Sequence, residues 1–371
     1  MSIKTSAPGG LSFRSPNEIL GMEFDDSDMI LGDRIVAETQ SAALCGVGGV
    51  GKSRLIQQIA VCQILNRPFC DTLATHGRPR KWMFFQTENS MRRQQWDLRH
   101  LKKWVEHLYP GDPGKWELVE QHMIQHTLEK DEDELLQVEV AAPLIAAGIA
   151  DHKPDAAVFD PLKDFTFGDL NQDRDMLAVV QELKRLAKAG DPKRVPFFLH
   201  HAITGKMGAL RAVGHDRASF GRNSKVLLAT MRAQINVAPI DGENNDRLII
   251  GCGKNNNGRE FKPFAVELNT LPGTAGYMIY ELIPGFDLEE WKEEMTNGKE
   301  KEPLCSIEEI AAKCPADGAT RATLAKFAQN RGVPRASAFR LVEKTLTKGL
   351  LHLSKIDELC YPQTAKNGTK P

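Results

Sequence analysis

A chain of 371 residues with 48 Lys and Arg against 49 Asp and Glu is nearly neutral, which excludes a protein that binds nucleic acid over its whole surface. The length suits two or three domains, each able to bury its own core, and no apolar run approaches the roughly 20 residues that span a bilayer, so no membrane role is expected. The start, MSIKTSAPGG, lacks the apolar region of a secretory signal, and the seven cysteines are scattered without a C-x-x-C pair; they read as the reduced thiols of a cytoplasmic protein.

Residues 1–30, with Ser, Pro and Gly near their start, read as an N-terminal arm. Across residues 31–286 short apolar runs alternate with helical stretches, the pattern of an α/β domain with a central, mostly parallel sheet. The first strand, residues 41–45, runs into GVGGVGKS, which meets the pattern G-x-x-x-x-G-K-[ST] at Gly46, Gly51, Lys52 and Ser53. The glycines let backbone N–H groups wrap an anion, and the amphipathic helix that follows points its positive end at the same place. Such a P-loop binds the phosphates of ATP: the run Gly46, Val47, Gly48, Gly49, Val50, Gly51, Lys52, Ser53 and Arg54 is the expected nucleotide contact, with Lys52 on the β- and γ-phosphates and the Ser53 hydroxyl on Mg²⁺.

A second strand, residues 82–85, leads to Glu88; an acid-rich stretch over residues 129–134 precedes a third strand, AAVFD, that ends in Asp160. Ligand sites of parallel sheets lie at such carboxyl ends, so Asp160 is the expected metal-associated carboxylate. Pro161 follows it where many P-loop ATPases carry a catalytic Glu, so the carboxylate that activates water must come from elsewhere. Glu88 is the candidate, provided its strand lies beside the P-loop strand. The fourth strand, residues 195–199, ends in His200 and His201, one of which is expected to sense the γ-phosphate. Four later strands, at residues 226–237, 247–252, 264–268 and 278–283, have no long helices between them and should form antiparallel hairpins. Residues 287–303 read as a charged linker, residues 304–362 as a small second domain and residues 363–371 as a disordered tail.

With GVGGVGKS, QTEN, VFDPL and FLHHA in this order, residues 30 to 285 resemble the RecA-like ATPases, and within them the RepA-type hexameric replicative helicases of plasmids and phages. The resemblance implies Glu88 as catalytic base, Asp160 as the metal-associated acid and His201 as the γ-phosphate sensor. It also implies a homohexameric ring, with ATP bound between subunits and single-stranded DNA threading a central channel. Two loops would face that channel, one after Asp160 and one after His201. The second carries Lys206, Arg211, Arg217 and Arg222 among small residues, a composition suited to phosphate contacts and equally to a solvated surface loop. In such rings a neighbouring subunit supplies a cation to the γ-phosphate. Lys254 and Arg259, in the hairpin GCGKNNNGREF, are the candidates and Arg232 an alternative, although NNNG also suits a plain surface turn.

In the second domain SIEEIAAKC, ATLAKFAQNRG and PRASAFRLVEKTLTKG read as three helices, the first opened by a Ser306–Glu309 capping box, and LLHLSK and ELCYP as short strands. This resembles a winged helix-turn-helix, whose third helix enters the major groove of duplex DNA; Arg335, Arg340 and Lys344 would line it. Winged helices also serve as protein-interaction modules. Three functions fit: an ATP-driven DNA helicase of a mobile element; a non-unwinding DNA-binding ATPase such as a helicase loader, initiator or recombination accessory factor; and a DNA-binding regulator switched by ATP.

Overall fold

The computed structural model describes residues 14–23, 26–127, 138–165, 172–202, 208–221, 225–240, 245–269, 278–296, 305–333, 335–354 and 359–362. Most of the N-terminal arm, the acidic stretch 129–134 and the tail 363–371 lie outside them. Contacts divide the chain into two units, Met1–Leu288 and Glu289–Pro371.

The first unit opens with a short capped helix, α1 (Pro16–Leu20), and the hairpin β1 (Met29–Leu31) and β2 (Val36–Ala37). Then β3 (Ala42–Gly46) leads into α2 (Lys52–Ile64), β4 (Trp82–Gln86) into α3 (Met91–Leu108) and α4 (Gly114–His122), and β5 (Met123–Thr127) into α5 (Val138–His152). Next come β6 (Ala156–Asp160), α6 (Asp173–Ala187), β7 (Val195–His201), α7 (Gly208–Val213) and α8 (Lys225–Thr230). The unit closes with β8 (Ala233–Pro239), β9 (Arg247–Asn255), β10 (Phe264–Asn269) and β11 (Ile279–Leu282), at the end of which α9 (Leu288–Thr296) begins.

Nine of the described strands make one sheet in the order β11-β10-β9-β8-β3-β7-β6-β4-β5. Pairings from β8 through β5 are parallel and those from β8 out to β11 antiparallel. This is the expected α/β core, mostly parallel and consistent with a RecA-like P-loop fold. β3, β4 and β6 are buried along their whole length, as strands covered on both faces must be, which is why AALCG, WMFFQ and AAVFD read as unbroken apolar runs. Three rings lock the neighbouring strands into register: Phe85 stacks on Phe159 at 5.4 Å and Phe159 on Phe198 at 5.6 Å. Each is fully buried, and removing a buried Phe side chain typically costs about 3–5 kcal/mol. The ladder sits just below the strand ends that carry Asp160 and His201, so it fixes where those ends emerge.

Two expectations need correction. The strand of Glu88, β4, does not lie beside the P-loop strand: β7 and β6 stand between them. The apolar run from residue 226 is not a strand until Ala233; its first part is α8, whose Leu227 packs inward. Lys184 and Lys254 donate to the carbonyls at the end of α8, from Thr230 and from Leu228 and Met231, and so stop the helix before β8 begins.

In the second unit α10 (Ile307–Ala312), α11 (Arg321–Asn330) and α12 (Arg335–Thr347) precede a hairpin of β12 (Leu351–Leu353) and β13 (Cys360–Pro362). Ser306 and Glu309 form the capping box in both directions. Ile310, Leu324, Ala328, Val342, Leu351 and Cys360 make its core. Residues 288–296, inside the stretch that reads as a linker, are helical.

Candidate nucleotide site

β3 is central in the sheet, and at its carboxyl end the chain turns through the glycine loop into α2. Gly51, the residue before α2, has φ +82°, and a Cβ there would lie 2.3 Å from the Tyr280 hydroxyl oxygen. Tyr280 comes from β11 and donates to the Val50 carbonyl at 3.3 Å, so the loop rests on a buried phenol. Gly51→Ala is therefore expected to weaken nucleotide binding at least about tenfold, the effect of roughly 1.4 kcal/mol of strain and clash, as read by titration with a fluorescent ADP.

One cavity of about 210 Å³ gathers Gly49, Gly51, Lys52, Ser53 and Arg54 from the loop and α2, Glu88 and Asn89 from beyond β4, Asp160 from the end of β6 with Pro161 after it, and His201 from β7. Parallel register brings these ends level, Gly46 opposite His201 and Gln86 opposite Asp160. The step of two strands between β3 and β4 is spanned by the chain beyond Gln86, so Glu88 reaches the cavity although its strand is not adjacent.

Lys52 is buried, and its Nζ donates to the carbonyls of Gly46 at 3.1 Å and Val47 at 2.9 Å. Burial lowers its pKa, opposed by the charges of Asp160 and Glu88. Asp160 is 5 % exposed and accepts a hydrogen bond from the Ser53 hydroxyl, while its Oδ2 has no partner. Burial pushes this carboxyl up to about 6, against the pull of Ser53 and Lys52. A buried carboxylate oxygen without a donor, beside a hydroxyl and below an anion cradle, fits the hard-oxygen demands of Mg²⁺. Among the described residues no cluster of three or more His, Cys, Asp or Glu could hold a metal, so phosphate oxygens would have to complete that shell.

Of the two histidines, His201 lines the cavity and His200 does not, as the alternation of a strand requires. Burial, then Lys52 and Lys163, push His201 down to about 4, so the ring is neutral at physiological pH; its Nε2 is buried and unpartnered. Glu88 forms an ion pair with Lys163 at 2.6 Å.

Several residues here are absent from the sequence reading. Asp97 is buried between Arg93, whose Nε donates at 3.0 Å, and Arg54 at 3.4 Å, so Arg54 is held against the cavity wall. The i, i+4 spacing of Arg93 and Asp97 was a visible signal, but the direction of that face was not. Arg93 also lies over the exposed ring of Trp96, 5.0 Å from its centroid. Lys163 carries no motif at all.

Other expected residues lie elsewhere. Lys206 and Arg222 fall outside the described residues. Arg211 is exposed on α7, and Arg217 is tied to Glu260 at 2.6 Å. Lys254 is held by the carbonyls that end α8, and Arg259 is exposed in the turn after β9. Arg232, exposed, sits before β8, at the sheet edge opposite the P-loop. Lys184, pushed down to about 8 by burial and by Lys188, Arg232 and Lys254, marks a knot of positive charge there. Neither Lys254 nor Arg259 lines the chain's own cavity. On α12, Arg335, Arg340 and Lys344 are exposed while Ala338, Val342 and Thr345 turn inward.

Residues 26–206 match the AAA domain family, a stretch that contains the P-loop, Glu88, Asp160 and His201, and the match supports an ATPase. No curated protein matches the chain. Among solved structures, a KaiC-like protein from the hyperthermophilic archaeon Pyrococcus horikoshii OT3 is similar, with 14 % identity and a TM-score of 0.41 over 67 % of this chain and 91 % of that one. Among the described residues no helix is long and apolar enough to cross a membrane.

Proposed function

We propose that this chain is an ATP-hydrolysing RecA-like motor that works on DNA as a ring-shaped replicative helicase of a plasmid, phage or other mobile element. The observation that supports the ATPase part of this reading is one cavity that unites the P-loop lysine, a Ser53–Asp160 pair with an orphaned oxygen, a carboxylate from beyond a second strand and a histidine. On nucleotide binding Lys52 exchanges the Gly46 and Val47 carbonyls for phosphate oxygens. Ser53 and Asp160 would hold Mg²⁺, which would supply neutralising charge to the phosphates. Glu88 takes a proton from the attacking water as the new P–O bond forms and the bond to the leaving ADP breaks. His201 offers a hydrogen bond to the γ-phosphate.

The cation knot opposite the P-loop fits a second subunit's phosphates, with Arg232 and Arg259 as the exposed arginines and Lys254 beside them. Single-stranded DNA would pass the loop that contains Lys206, Arg211, Arg217 and Arg222. The second unit, read as a winged helix, would present Arg335, Arg340 and Lys344 to duplex DNA. The engagement of Arg217 by Glu260 and of Lys254 by backbone carbonyls favours a second reading, a non-unwinding DNA-binding ATPase.

Strand displacement on forked DNA separates the two. ATP-dependent unwinding by the wild type and none by Glu88→Gln is the expected result. DNA-stimulated hydrolysis without unwinding in either polarity would leave the second reading standing, and a species that stays monomeric with ATP and DNA would remove the ring.

A further inference from the structure

The carboxylate placed to activate water is already occupied. Lys163 Nζ lies 2.6 Å from Glu88 Oε1, so one of the two carboxylate oxygens is engaged by the ammonium instead of facing water. The backbone on both sides of the pair is fixed. Thr87 N donates to the Asp160 carbonyl at 3.1 Å, and Thr87 Oγ1 donates to Asp164 Oδ2 at 2.6 Å. Leu162 and Phe165, which flank Lys163 and Asp164, are fully buried, and Phe165 packs edge-on against Phe159. Only the two side chains are open to solvent, 45 % for Lys163 and 44 % for Glu88. Glu88, the partner of Lys163, lines the phosphate cavity, so the ammonium is held beside that cavity although Lys163 is not itself part of its lining.

We infer that Lys163 is a latch on Glu88: in the absence of a phosphate anion its ammonium holds the carboxylate idle, and an arriving phosphate takes the ammonium and frees the base. A half-exposed pair on rigid supports suits this exchange, because water has already weakened it and no backbone need move. A phosphate with more charge and more acceptor oxygens than a carboxylate is the stronger partner for an ammonium. That anion is either the γ-phosphate of ATP or a phosphate of a nucleic-acid strand at the pocket mouth. The inference rests on Glu88 being the base, and so on the ATPase reading above.

The test compares full-length wild type, Lys163→Met, Lys163→Arg, Glu88→Gln and the Lys163→Met/Glu88→Gln double variant. Phosphate release is followed with and without a single-stranded oligonucleotide, and ATP and ADP affinities are taken by fluorescent-nucleotide titration. If the γ-phosphate draws the latch, Lys163→Met weakens ATP about tenfold and leaves ADP unchanged, the loss of one charge-assisted contact. If a strand phosphate draws it, Lys163→Met raises basal turnover and abolishes stimulation by the oligonucleotide. In either case Lys163→Arg restores wild-type behaviour, and Lys163→Met changes turnover no further once Glu88 is Gln. Turnover, stimulation and the ATP/ADP affinity ratio all within twofold of wild type would overturn the latch, as would an equal loss of ATP and ADP binding. Undiminished turnover in Glu88→Gln would instead overturn the reading beneath it.

Discussion

Glu88→Gln is expected to bind ATP as the wild type does and to turn it over about 10²–10⁴ times more slowly, the usual contribution of a general base. The substitution keeps the size and shape of the side chain and removes only its ability to take a proton. It should leave the fold intact, because the Glu88 side chain is 44 % exposed and its ion pair with Lys163 is exposed to the same degree. Nucleotide affinity should persist because the phosphate grip belongs to the loop, Lys52 and Ser53, on a different strand. Phosphate release under single-turnover conditions, set beside fluorescent-nucleotide affinity, separates the two effects. A variant that keeps turnover within tenfold of wild type would move the base elsewhere, and Asp164, behind Thr87, is then the next carboxylate to examine.

Those parts of this site that are legible in the sequence are the ones whose chemistry is local. The glycines and Lys52 occupy adjacent positions of one loop, and Asp160 and His201 end apolar runs too regular to be anything but buried strands. Order across the sheet is different. Nothing in WMFFQ or AAVFD says which strand is its neighbour, because helices of similar length can carry the chain over one strand or three. Glu88 lines the cavity without the strand adjacency expected of it, because the carboxyl ends of β3, β7, β6 and β4 all face one way. VLLA has the composition of a strand, yet it closes as the helix α8, with Met231 N donating to the Leu227 carbonyl and lysines from β9 and α6 meeting its last carbonyls. Lys163 is hidden for the same reason: its role comes from Glu88, 75 residues away, and single-chain spacing carries no trace of that, whereas for Arg93 and Asp97 the i, i+4 spacing shows the pair but not the Arg54 opposite it.

Asp160→Asn is expected to stabilise the nucleotide-free protein while abolishing its Mg²⁺-dependent turnover. In the folded chain this carboxyl titrates at about 6 against an ordinary 3.8, because it is buried and one oxygen lacks a donor. Each unit of displacement corresponds to about 1.4 kcal/mol, so the ionised form costs the fold on the order of 3 kcal/mol at most. The sign follows from the direction. Asp160 is penalised only when charged, so the advantage of the variant is full above about pH 6, shrinks as pH falls and is gone below the ordinary carboxylate value. Asn keeps the shape, and its carbonyl can still accept from Ser53. Thermal unfolding without nucleotide should therefore show a melting temperature a few degrees higher for the variant at pH 8 and the same for both proteins near pH 3.5. Adding ATPγS and Mg²⁺ should reverse the order, since the wild type gains stability from the ligand and the variant, without a charged oxygen for the metal, gains less. Turnover should fall by about 10²-fold or more, as when a charged group acting on the transferring phosphate is lost. A variant less stable than wild type at pH 8 without ligand would mean that Asp160 is a structural acceptor. The expected result would instead identify the unpaired oxygen as strain that the fold retains for a cation.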